Sequence, residues 1–384
     1  MMPLLFVLVG FEVGVTFFGA LIPQVQQQFR VSTGTVALAL SAYHAIRLVI
    51  NVPAGRLIAR SPLTRMLAVG GATMAVGAAL VGLAPHFWVV LLGRVIMGTG
   101  SAVFFITTQF WISKIATPSD KAQLFSYNQI ATLTGSALGP AIGGAVAGWL
   151  SWRHSLILSV LAGVSGVILG SRLDDPTARP GNAAGQASPP APGTLRLAAV
   201  LGAGMFTMAL LFHYGGIVST LIPLLAAREL HLGPGAIGGI LMLGTVWRFG
   251  AALAGGRLAV WAGTRRVVLA NLIILSVTAW SFLLVNTPLD LLIVVSLISC
   301  THVGGSLVVA LVTDLVPEAH WGTALGLNRT MADIGAMTAP LLAGFVLDRS
   351  GFGIAFGAMS IIMLAITAVA AVLTAREPTH ATTR

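Results

Sequence analysis

Six ionisable residues stand well inside long apolar runs: Glu12, Arg47, Arg94, Arg248, Arg329 and Asp333. An ionisable group at mid-bilayer costs roughly 2.5–3.5 kcal/mol even on lenient insertion scales, so such groups face a water-filled cavity or each other. Their chemistry is to carry an ion or to hold an opposite charge. Glu12 and Asp333 are the midspan carboxylates, and a carboxyl withdrawn from water takes up a proton more readily, which suits it to load and unload one in a cycle. Glu12 has no basic neighbour on its own helix and leads Asp333 as the expected proton carrier. Arg329 and Asp333 are spaced i,i+4, so they share a helix face and can neutralise each other. That spacing fits a structural pair or a proton- or substrate-linked one.

Such residues need membrane helices to hold them. Of the 384 residues 56% are hydrophobic and only 8% charged, where soluble domains carry about 25% charged residues; mean hydropathy is +0.93. So few charges cannot cover a water-soluble surface, which excludes a soluble enzyme, a nucleic-acid binder and a disordered scaffold. The net charge of +10 is spread as single and paired residues at the ends of apolar runs, so no nucleic-acid partner is expected. Cys300 is alone, the histidine spacing matches no zinc site, and no phosphate-binding loop is present. The expectation is a protein that is not an enzyme, has no metal or cofactor, and draws its energy from an ion gradient.

A hydrocarbon core of about 30 Å needs about 20 apolar residues per helix. The runs predict twelve spans near 3–23, 35–58, 66–84, 88–110, 122–149, 155–171, 196–227, 235–260, 267–285, 290–315, 323–347 and 353–375. The first run lacks a basic leading segment and contains Glu12, so it reads as a span and not a leader peptide. The expected organisation is a six-helix bundle over 1–171, a Pro-, Gly- and Ser-rich linker over 172–195, and a second bundle over 196–384 with a short tail. Thirteen basic residues on the linker side against four on the other put the linker and both termini in the cytoplasm of a multi-pass plasma or inner-membrane protein.

The two halves repeat. Leu21-Ile22-Pro23 recurs as Leu221-Ile222-Pro223; Arg47 and Gly55-Arg56-Leu57 as Arg248 and Gly256-Arg257-Leu258; Gly135, Pro140 and Gly144 as Gly335, Pro340 and Gly344, at offsets of 200 or 201. An even number of spans per half gives parallel repeats about an axis along the membrane normal, with a midplane site where they meet. Arg47 and Arg248 each lie 12 residues before a cytoplasmic helix end, about 18 Å deep at 1.5 Å per residue.

The whole chain resembles the major facilitator superfamily. The family's loop motif G-x-L-x-D-R-x-G-R-R is matched at Gly55, Leu57, Arg60 and Arg65, with Ala59 in place of the aspartate that helps lock the outward-facing state. Arg94-Val95-Ile96-Met97-Gly98-Thr99-Gly100 is similar to an element of proton-coupled members. Gly135 to Gly144, with Gly139, Pro140 and Gly143, is similar to the G-x-x-x-G-P-x-x-G-G motif of twelve-span drug:proton antiporters. The resemblance implies that the span 5 motif packs and gates, that a monomer transports a small molecule, and that spans 1 and 4 line a central cavity, which makes Arg94 a partner for Glu12. If Arg329 pairs with Asp333 as well, Arg47 and Arg248 are left free to hold an anion bidentately; the competing reading has them bonded to helix-end carbonyls. Some nitrate and organic-anion members also carry arginines in spans 2 and 8, about one turn nearer the cytoplasm. His44, Tyr43, Trp247, Arg329, Gln129 and Asn328 are further substrate-contact candidates. The span 5 motif points to proton antiport and efflux of drug-like or organic-anion compounds. The cavity charge keeps open the alternative, proton-coupled uptake of a carboxylate or other anion.

Overall fold

In hydrocarbon every backbone N–H and C=O must be satisfied internally, and runs of Leu, Val, Ala and Gly meet that demand as helices. The computed structural model describes residues 2–115, 121–175, 197–303, 305–314 and 321–375, and among these the regular structure is helical throughout. The 172–195 linker lies outside the described residues from 176 onward. The first crossing is α1 (Met2–Thr16) and α2 (Phe18–Phe29), interrupted only at Phe17. It is followed by α3 (Thr33–Ile58), α4 (Leu63–Leu83), α5 (Phe87–Ile115), α6 (Lys121–Trp149) and α7 (Trp152–Arg172). The seventh crossing, α8 (Leu197–His213), passes through a π-helical stretch, Tyr214–Leu221, into α9 (Ile222–Arg228). Next come α10 (Pro234–Ala262) and α11 (Thr264–Thr278), which a 3-10 stretch extends to Leu284. The tenth crossing is split into α12 (Pro288–Cys300) and α13 (Gly305–Asp314).

The last helix, α14 (Trp321–Ala375), has 55 residues, about 80 Å at 1.5 Å per residue and more than twice a bilayer core. It folds back at Gly351, whose φ of 75° suits glycine, and so supplies two crossings. With the split tenth crossing, this agrees with the twelve spans expected.

Glycine governs how closely these helices approach. A methyl group on Gly71 of α4 would strike the carbonyl of Gly163 on α7, and one on Gly77 or Gly93 would strike the facing backbone between α4 and α5. In lipid, where apolar burial drives little association, such close approach supplies the dispersion contact. Helices α1–α7 pack on one another, as do α8–α14; α3 lies along α14 and α6 along α10 to join the two sets. Each joint has a glycine set against facing backbone. Gly144 sits on the Pro234 carbonyl and Gly344 on the Thr33 carbonyl, the same contact made twice at offsets of 200 and 201.

Polar contacts fasten the joint at the face opposite the basic residues. Asp348 accepts from the backbone N–H groups of Thr33 (2.9 Å) and Gly34 (2.6 Å), a carboxylate on the N-terminus of α3. Arg228 donates to Gln26 Oε1 and to Thr33 Oγ1, both at 2.7 Å. At the other face Arg56, Arg60 and Arg65 stand exposed.

Candidate functional site

Helix α3 begins at a Ser32 cap, whose hydroxyl accepts from the Thr35 N–H at 3.1 Å, and runs unbroken past Pro53. Its length matters because His44, Arg47 and Asn51 follow at i, i+3 and i+7, one stripe of one face. That stripe lies on α14, and Asp333 is the residue it meets. Asp333 is 2% exposed. Asn51 Nδ2 donates to its Oδ2 at 2.9 Å, while His44 Nδ1 lies 3.5 Å and Arg47 Nε 3.6 Å from its Oδ1. Arg329 does approach along its own helix, with Nε 3.8 Å from Oδ2, but its side chain is 56% exposed. The expected i,i+4 pair is therefore the loosest contact of the set. Asp333 is balanced chiefly across the joint, by three residues of the first half. Breaking a buried ion pair from one side costs about 3–5 kcal/mol, because the remaining charge is stranded.

Arg47 is accordingly not a free cation, which corrects the expectation that it and Arg248 are left over together. Besides Asp333 it has Tyr43, whose hydroxyl accepts from Nη1 at 3.4 Å, and its guanidinium lies over the Tyr43 and Phe105 rings. Arg248 differs. Its Nη2 donates to Thr245 Oγ1 at 2.6 Å and its guanidinium covers the Tyr214 ring, and no carboxylate pairs with it among the described residues. The repeat explains the asymmetry: Leu133 stands 200 positions before Asp333. The first half thus offers a hydrocarbon where the second offers an acid.

Arg94 does not meet Glu12. Its Nε donates to the Ala39 carbonyl at 3.0 Å, and its guanidinium is sandwiched between Phe18 (4.4 Å) and Tyr43 (4.6 Å). A desolvated stack of this kind is worth about 2 kcal/mol, and a lysine ammonium cannot reproduce the planar fit. Arg94→Lys is expected to lower the thermal midpoint of the purified protein while leaving its proton:substrate ratio unchanged. An unchanged midpoint would remove Arg94 from the structural core.

Glu12 is partly buried on α1 and has no hydrogen-bond or ion-pair partner for its carboxylate among the described residues; the charge acting on it is Arg47. Its Cβ rests on Gly135. Gly139 and Gly143 continue that stripe against Val13, Thr16 and Phe17. On the other side of α6, Pro140 and Gly144 touch Gly238 and Pro234 of α10. The span 5 motif is thus a two-sided helix contact, closing α1 on one flank and the joint on the other.

The remaining candidates scatter. Asn328 is buried within the second half, where its Oδ1 accepts from Thr207 Oγ1 at 2.6 Å. Trp247 is 44% exposed on α10. The side chain of Gln129 lies outside the described residues. Gly55 has open space around it, and Ala59 ends α3 without a charge. The acid beside this loop is instead Asp175, whose Oδ2 accepts from Thr64 N (3.3 Å) and Oγ1 (3.2 Å) at the start of α4. Sequence reasoning missed Asn51, although its spacing from His44 and Arg47 marks the stripe. It also missed Asp348 and Arg228 as fastenings between the halves, since neither lies inside an apolar run.

A family model described as Major Facilitator Superfamily matches the chain over residues 4–309 and 300–384. No curated protein matches it. Among solved structures, the chain is similar to a bacterial homolog of the human lysosomal transporter Spinster in an inward-facing, occupied conformation. The TM-score is 0.76 at 14% identity, covering 98% of this chain and 96% of that one. It is also similar to the peptide transporter POT in complex with sulfate, with a TM-score of 0.76 at 13% identity, covering 97% of this chain and 94% of that one. At these identities the likeness is one of fold.

Proposed function

The chain belongs to the Major Facilitator Superfamily, a membrane-embedded secondary transporter of a small molecule and not an enzyme, and from that premise we propose that it couples protons to the movement of a small organic anion. The observation that carries this reading is the acid at the joint. Asp333 is held by His44, Arg47 and Asn51 of the other half, so its charge state bears on both substrate binding and the fastening of the halves. While Asp333 is ionised, Arg47 has a counter-charge. A proton on Asp333 leaves Arg47 without one, and a substrate carboxylate takes its place, held by the guanidinium fork. Proton and anion then bind together, which is symport. The thirteen-to-four basic bias supports placing the basic face in the cytoplasm of a plasma or inner membrane, so that uptake follows the inward proton gradient. The Asp333 cluster is complete within one chain, in keeping with a monomer.

One observation favours the second reading, efflux by antiport. Glu12 is a carboxylate with no partner among the described residues, set against the span 5 motif. A drug-like cation and a proton competing for it would exchange across the membrane.

Proton flux into proteoliposomes loaded with a pH-sensitive dye separates the two. Internal acidification on adding external carboxylates, lost in Arg47→Gln and kept in Glu12→Gln, is the expected result. Internal alkalinisation driven by cationic drugs, silent in Glu12→Gln and kept in Arg47→Gln, would replace symport by antiport.

A further inference from the structure

The second half contains a polar cluster that the Asp333 cluster does not use. A narrow cavity there is lined by His213, Arg248, Ser299 and His302, with Leu241, Phe282 and Val295 among its apolar walls. His213 is 2% exposed and its Nδ1 has no hydrogen-bond partner. The two imidazole rings face across 6.3 Å between centroids, and the charge of Arg248 acts on both. A buried polar nitrogen left unpaired in an otherwise packed helix bundle normally marks a missing partner.

The backbone points the same way. His213 is the last residue of α8 before the π-helical stretch, and His302 sits in the break between α12 and α13. The Asn271 side chain binds the Thr301 carbonyl and so holds that break in place. Irregular backbone at membrane depth persists where it is buried in protein or lines a cavity, and discontinuous helices in transporters gather around ion and substrate groups. π-helical turns likewise concentrate at functional sites. Two such irregularities, in crossings far apart in sequence, converge on one cavity.

The sign of the ligand follows from the lining. Two imidazoles alone would suit a metal ion, but the guanidinium of Arg248, with no carboxylate partner among the described residues, repels a cation. Guanidinium, imidazole N–H and the Ser299 hydroxyl can all donate, so they satisfy a single acceptor-rich group. We propose that this cavity is a binding site for one small anionic group, of chloride or carboxylate size, separate from the Asp333 cluster. The site rests on the second half alone and does not depend on the symport reading.

The test uses the purified full-length protein in detergent, with thermal unfolding followed at constant ionic strength while gluconate, too large for the cavity, is replaced by bromide or by formate. A ligand that binds only the folded form raises the midpoint saturably. The expected result is saturation by bromide or formate, kept in Arg47→Gln and shifted at least about tenfold to higher concentration in Arg248→Gln, the equivalent of about 1.4 kcal/mol. Saturation by bromide identifies a free inorganic ion as occupant. Saturation by formate alone identifies the carboxylate head of a larger molecule. Should Arg248→Gln fail to purify, His302→Gln and Ser299→Ala carry the same comparison, and bromide anomalous scattering in crystals locates the ion directly. No saturation by either anion, or saturation indifferent to Arg248, His302 and Ser299, overturns the site. Loss of carboxylate-driven acidification in Arg47→Gln with this saturation intact separates the two proposals.

Discussion

Asp333→Asn is expected to abolish proton-driven accumulation of substrate while leaving substrate exchange between equilibrated compartments active. The amide keeps an acceptor for Asn51 but removes the charge opposite His44 and Arg47. Stranding a buried partner charge costs about 3–5 kcal/mol, and each 1.4 kcal/mol is a factor of about ten in an equilibrium. If the loss falls on the fastened conformer of the empty carrier, its population relative to the alternative drops by at least about a hundredfold, whereas a bound substrate anion gives Arg47 back a counter-charge and leaves exchange by the loaded carrier active. The variant also stands in for the protonated state. Under the symport reading, wild-type anion affinity is expected to be highest at low pH, where a proton on Asp333 would release Arg47, and to fall as pH rises. In Asp333→Asn that dependence is expected to be flat. Counterflow and net uptake in proteoliposomes, each measured across pH, check both statements. Net uptake that survives at the wild-type rate would take the proton off Asp333 and return Glu12 to the leading place.

The second large effect belongs to glycine. Gly144→Val and Gly344→Val each place a branched side chain against a facing backbone carbonyl, that of Pro234 or of Thr33. Backbone cannot rotate out of the way as a side chain does, so the two halves must separate at that face. Overpacking costs of about 1–3 kcal/mol per site convert to a shift of about five- to 150-fold away from the fastened conformer. Spin labels at Gln28→Cys and His231→Cys, in a Cys300→Ser background, sit exposed on the two sides of this face. Their separation is expected to increase in either valine variant, and transport to slow by at least about tenfold if the cycle must pass through the fastened state. Gly250→Val, at an exposed position where nothing lies near, is the control expected to leave both unchanged. An unaltered label distance would show that these glycines only pack.

Fold and site were legible to different degrees. The helices, their number and the duplication follow from apolar run length, from the impossibility of leaving backbone groups unpaired in lipid, and from motifs recurring at a fixed offset. The residues worth suspecting followed as well, because a charge in an apolar run is costly wherever the helix ends up. The duplication even contains the reason Arg47 and Arg248 part ways, in Leu133 standing where the repeat would put an acid.

Helix periodicity and spacing left open which charges meet. Arg329 shares a helix with Asp333 and was its natural partner by spacing, yet Arg47, His44 and Asn51 hold the acid more closely from 282 or more positions away. Glu12 and Arg94 stand on neighbouring spans of one bundle, yet Arg94 turns into an aromatic sandwich and bonds a carbonyl. Helix periodicity fixes only which residues share a face of one helix. The rotation of each helix against its neighbours, set here by glycine contacts such as Gly135 on Glu12 and Gly344 on Thr33, decides which faces touch. A single span carries no record of that rotation, so the pairing of charges is a property of the tertiary structure.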